Sequence, residues 1–229
     1  MSRPGLVATA LIVFRKDLSI EWRTRARLTA LLFFAVATLL LFSFALGADA
    51  PTLRKSAPGF LWLALFFSSV LSLGESFRNE SDNQAIDALR LAPVSPRAIF
   101  IGKALGSTLL CWLLALALVP MSVALFDIGI AEGVGKLVLA LFLGCAAISA
   151  PGTVYGAIAA NARARDVLLP LLMFPVLIPA LIGSVYATAL IIGGDPQDKS
   201  GTWLLFLFLF NLVYWAVGFL VFPKVIEDD

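Results

Sequence analysis

The sequence predicts an all-α polytopic membrane protein with six transmembrane helices, on three observations. Six long apolar runs follow one another through the 229 residues. Hydrophobic residues make up 60% of the chain and charged ones 14%, where a soluble domain carries about 25% charged residues; the mean hydropathy is +0.96. Lys and Arg gather in alternate connections between the runs, as they do on the cytoplasmic side of membrane proteins. At ~20 residues per span, this length forms one membrane domain, 1–229, and leaves nothing for a soluble one.

Ahead of the first run, Val7, Leu11, Phe14, Leu18 and Trp22 recur at spacings of three and four, with Thr9, Lys16, Ser19 and Arg23 opposite. This is an amphipathic helix of the kind that lies in the membrane interface. Arg23, Arg25 and Arg27 then precede span one, about 28–47, which carries no charge. Ala48-Asp49-Ala50 resembles a signal cleavage site, but a run this long exceeds the roughly 7–15 residues of a signal core, so the span is expected to be retained. Span two covers about 58–74.

Residues 75–103 form the longest polar interruption. Ser81 and Gln84 have the spacing of a capping box, so a helix is expected to start near Asp82. Ile86 and Leu89 share one face, Asp87 and Arg90 the other, and Pro93 stops it. About ten residues make ~15 Å of helix, too short to be stable alone, so it needs a surface to bury its stripe. We read it as the docking element for a soluble partner.

Span three covers about 98–126, with Pro120 as an expected kink and Lys103 close enough to its start to snorkel. Span four covers about 137–160 and is rich in small residues. Gly102 and Gly106 in span three, and Gly152 and Gly156 in span four, are small-xxx-small pairs that suggest close helix contacts. Arg163, Arg165 and Asp166 mark the second cytoplasmic loop. Span five, about 167–192, holds Pro170, Pro175 and Pro179 in its first half, which is expected to bend or break. Span six covers about 202–222, before a charged tail.

Counted on alternate sides of six spans, thirteen Lys and Arg fall on one side, with both termini and the central polar stretch, and four on the other, namely Arg54, Lys55, Lys136 and Lys199. That asymmetry puts both termini in the cytoplasm, with Trp22 near the inner interface and Trp62 and Trp203 near the outer one.

Much chemistry is missing. No span carries an ionisable group at its middle, where a proton- or ion-coupled transporter keeps one. Asn211, the most polar midspan residue, reads as glue between helices. No Gly-x-x-x-x-Gly-Lys-Ser/Thr loop is present for ATP, and the chain has no His for a metal hydrolase or His-ligated haem site. Cys111 and Cys145 lie in apolar runs and read as small core residues rather than a disulfide. No basic patch points to nucleic acid, and neither catalytic nor metal-ligating residues are assigned. A helical membrane domain with no energy source and a capped cytoplasmic helix reads as the passive part of a machine driven by a separate ATPase.

Phe77-Arg78 with Glu80, then 83–95 and 98–106, resemble the first cytoplasmic loop of the CcmB family, the haem exporter protein B permeases of cytochrome c maturation. The stretch from Gly152 through Asn161, Arg163, Arg165 and Asp166 to Pro179 is similar too, as is Gly218-Phe-Leu-Val-Phe222. The likeness covers nearly the whole chain, although Gln84 and Asp87 stand where many relatives carry a small residue and Glu. It implies a six-span permease of the type-2 ABC exporter class in the bacterial inner membrane. ATPase coupling would then fall to Asn83, Gln84, Ile86, Asp87, Leu89, Arg90 and Leu91. The implied partners are a cytoplasmic ABC ATPase that binds ATP and Mg, membrane subunits that handle haem, and a periplasmic haem chaperone, with a homodimer left open. No cofactor is expected on this chain. Two other readings stay open at this point: a non-transporting membrane scaffold for assembly partners, and an ABC permease for a drug or polysaccharide.

Overall fold

The computed structural model of the chain describes residues 5–23, 25–47, 49–82, 95–129, 133–160 and 165–227. Seven helices account for nearly all of them: α1 (Leu6–Arg23), α2 (Arg25–Leu46), α3 (Ala50–Asp82), α4 (Pro96–Phe126), α5 (Val134–Ala160), α6 (Arg165–Gly193) and α7 (Lys199–Glu227). No strand occurs among the described residues. Helices α2 to α7 each contain a stretch long and apolar enough to cross a membrane, so the chain is an all-α, multi-pass membrane protein. Several helices outrun their apolar windows, α3 most of all: it starts eight residues before the predicted span and continues through Glu75 to Asp82.

The bundle is built round α5, whose apolar stretch is 72% buried, against 11% for α2. Helix α5 packs on α4, α6, α7 and α3, and its row of Ala, Gly, Ser and Thr lets them come close. A side chain at Gly152 would meet Leu73 and Met173, and one at Gly156 would meet Phe77 at 2.6 Å. The hydroxyls of Ser149 and Thr153 donate to the carbonyls of Cys145 and Ser149, each at 2.8 Å, which satisfies them inside apolar surroundings. Asn211 on α7 donates to the Leu143 carbonyl on α5 at 2.9 Å and accepts from Trp215. It is interhelical glue, as its position predicts. Cys111 and Cys145 are buried and form no disulfide, and the Ser69 hydroxyl donates to the Cys111 sulfur at 3.2 Å.

Three expectations need correction. Of the bend or break expected in span five, the break does not occur: helix α6 runs from Arg165 to Gly193 through Pro170, Pro175 and Pro179, because each Pro removes one backbone bond without forcing the helix to end where neighbours pack around it. Trp62 is not in an interfacial belt but inside the bundle, 1% exposed, with its indole N–H donating to Thr188 at 3.0 Å. Ser81 and Asp82 belong to the last turn of α3 rather than opening a new helix; the remainder of the predicted docking helix, from residue 83 on, lies outside the described residues.

At the end of the bundle remote from α1, charges pair across short connections. Arg54 binds Asp127, and Lys136 approaches Asp198 at 3.6 Å. Asp195 receives the backbone N–H groups of Lys199 and Ser200 and so caps the start of α7.

Candidate functional site

Helix α1 lies along α4, and the face it turns inward is not its most apolar one. Thr9, Ala10, Val13 and Glu21 are buried, while Val7, Leu11, Ile12 and Trp22 are exposed. In a membrane the large apolar residues can face lipid, and the small and polar ones pack on protein. Contact is close because α4 presents glycine there: a side chain at Gly102 would lie 2.7 Å from the Ala10 carbonyl oxygen and 2.8 Å from Val13. The Gly102–Gly106 pair thus serves α1.

This packing brings acidic residues of α1 against bases of α2 and α4. The Arg27 guanidinium meets the Glu21 carboxylate at 2.9 Å and Glu75 at 3.5 Å, and it donates to the Ser72 hydroxyl at 3.1 Å and to the Ser72 carbonyl. One side chain thereby ties α1, α2 and α3 together. Lys103 lies 3.6 Å from Asp17, which also pairs with Lys16 at 3.1 Å, and its ammonium sits 4.7 Å above the Phe77 ring. The expected snorkelling of Lys103 is therefore replaced by inward pairing, with its side chain 5% exposed. Burial pushes the Glu21 carboxyl above its ordinary value, Arg27 pulls it back, and Glu75 and Asp17 push it up further.

These groups line a cavity of about 350 Å³. Its walls are Asp17, Glu21, Arg27, Phe77 and Lys103, with the hydroxyls of Ser72, Ser76, Ser107 and Thr153 between them. It can hold a polar group carrying both signs of charge. No set of three or more His, Cys, Asp or Glu able to hold a metal ion occurs among the described residues.

Sequence reading missed this cluster, although one signal was present: Asp17 and Glu21 stand four apart on a helix otherwise basic, on the side that carries Ala10 and Val13. Of the residues predicted to couple to an ATPase, Asn83, Gln84, Ile86, Asp87, Leu89, Arg90 and Leu91 all lie outside the described residues, as does Arg163. Arg165 and Asp166 begin α6. The helix ends leading into the two predicted cytoplasmic segments are brought together, since Phe77 near the end of α3 packs on Gly156 near the end of α5.

A family model described as CcmB protein matches residues 8–228. Several proteins named heme exporter protein B are similar over most of their length. That of Pseudomonas aeruginosa is 30% identical over 197 residues, 84% of this chain and 86% of the relative. That of Paracoccus denitrificans is 31% identical over 193 residues, 82% and 84%. That of Haemophilus influenzae is 30% identical over 172 residues, 75% and 77%.

Proposed function

This chain belongs to the CcmB family, and from that premise we propose that it is the membrane permease subunit of an ATP-driven haem export complex for cytochrome c biogenesis. A separate cytoplasmic ATPase hydrolyses ATP, and this chain converts the motion into work on the far side of the bacterial inner membrane. The match to the family over residues 8–228 carries the reading. Six helices able to span a membrane support it, as does the sequence's lack of any nucleotide-binding loop of its own.

Residues 83–91 are the coupling element in this reading, and Arg163, Arg165 and Asp166 belong to the second cytoplasmic loop that would act with them. The contact of Phe77 with Gly156 supports that pairing, because it sets the ends of α3 and α5 side by side. Haem is cargo rather than a resident group. With no His in the chain, a strong axial ligand would have to come from Met, Tyr or Cys. Met173 is fully buried and wedged against Gly152, and Cys111 and Cys145 are buried too. We therefore favour a subunit that drives release of a haem-loaded periplasmic chaperone from a neighbouring membrane subunit, over one that ligates haem itself.

Two experiments test this. The purified chain alone should carry little stoichiometric haem, which should follow a different subunit when the complex is taken apart. Tight haem in the isolated chain, lost on replacing Tyr155, Met173 or Tyr186, would restore direct export. Ile86→Asp or Leu89→Asp should release the ATPase while leaving insertion intact, through loss of an apolar contact worth about 1.5–3 kcal/mol. Unchanged co-purification would remove the coupling role from this segment.

A further inference from the structure

The charged cavity adjoins the membrane-facing wall of the bundle. It shares Ser72, Ser107 and Leu110 with a second cavity of about 160 Å³ between α2, α3 and α4. That second space is apolar, walled by Leu28, Leu31, Leu32, Leu113 and Leu114. Leu32 and Leu113 are exposed, so the slot is edged by lipid-facing side chains. The two lie side by side, and we refer to them together as the cleft, charged at the α1 end and greasy toward the middle of the spans.

At the charged end one acceptor is left over. Glu21 is 3% exposed, and its Oε2 pairs with Arg27. Its Oε1 is buried and accepts no hydrogen bond. A buried carboxylate oxygen without a donor is costly and rare. A donor on a molecule that enters the cleft would satisfy it.

We propose that the cleft seats one aminophospholipid from the leaflet beside α1. Its primary ammonium donates to Glu21 Oε1, its phosphate sits among the ion pairs of Lys16, Arg27 and Lys103, and an acyl chain extends toward the leucine slot. The mixture of charges selects the head group. An anionic lipid brings the same phosphate without the ammonium and leaves the Glu21 oxygen without an N–H donor, and a choline head has a cation but no N–H to give. The proposal stands apart from the haem reading, since it concerns a lipid held between α1 and the spans, whatever the complex exports.

The test is native mass spectrometry of the full chain, stripped of lipid in detergent and offered phosphatidylethanolamine, phosphatidylcholine or phosphatidylglycerol. One phosphatidylethanolamine should be retained about tenfold more tightly than phosphatidylcholine, the effect of one hydrogen bond to a charged group. Phosphatidylglycerol should bind more weakly than phosphatidylethanolamine too. Glu21→Met should erase the preference. Leu32→Trp, which fills the slot from its lipid edge and touches no charged group, should abolish retention without lowering the thermal midpoint. Equal retention of ethanolamine and choline lipids by the parent protein would overturn the proposal. So would retention unaffected by Leu32→Trp, or displacement of bound lipid by haem with no ethanolamine preference.

Discussion

Arg27 joins three helices at the α1 end, and its environment fixes what its loss should do. Its side chain is 10% exposed and that of Glu21 4%, so neither charge is well solvated. Breaking such a pair by removing one partner costs roughly 3–5 kcal/mol, whereas replacing both with apolar residues of similar size is often neutral. Arg27→Met should therefore lower the unfolding midpoint sharply, and Arg27→Met combined with Glu21→Met should recover much of the loss; simple addition of the two effects would show that the pair is not coupled. Glu21 adds a pH dependence. Its folded carboxyl holds its proton above the ordinary value of 4.5, so the native state binds more protons than the unfolded one, and stability falls as pH rises from about that value through the raised one. In thermal scans between those limits the parent should lose stability that Glu21→Gln keeps; identical slopes would contradict this account of its burial.

At the scale of the helices, Gly102 decides whether α1 belongs to the bundle. A methyl group there would press on the backbone oxygen of Ala10 as well as Val13, so the whole helix has to lift. Overpacking of this kind costs about 1–3 kcal/mol. Gly102→Ala should speed tryptic cleavage at the exposed Arg15, while Gly59→Ala, with nothing within 4 Å of the added carbon, should not. Equal cleavage in both variants would detach α1 docking from Gly102. The sequence made this helix visible through its spacing but could not say which side meets protein, because lipid accepts the large apolar stripe and leaves Ala10, Val13, Asp17 and Glu21 to the interior. Spans were legible as uncharged runs. Their true ends were not, since α3 continues as helix well past its last apolar turn, and no local signal tells a polar helix end from a loop. Lys103 misled for a related reason: near a span end a cation reads as solvated, and the carboxylate that draws it inward, Asp17, comes from a helix distant in sequence.

For the whole molecule, the thirteen-to-four division of Lys and Arg predicts that α1 and the 83–94 segment are cytoplasmic. A cysteine probe at Thr52 or Gln197 should react with an impermeant reagent in intact cells, and one at Asn83 or Ala162 should not; labelling at Asn83 would reverse the orientation and with it the coupling role. In the proposed function this permease moves only when a partner hydrolyses ATP. The most direct measurement is the residence time of the haem-loaded chaperone on the assembled complex, with ATP and either an active or a hydrolysis-dead ATPase. Release should require the active enzyme and should be lost in the Leu89→Asp variant. If the chaperone leaves equally fast with the dead ATPase, the chain is a scaffold and the driven-permease account is wrong.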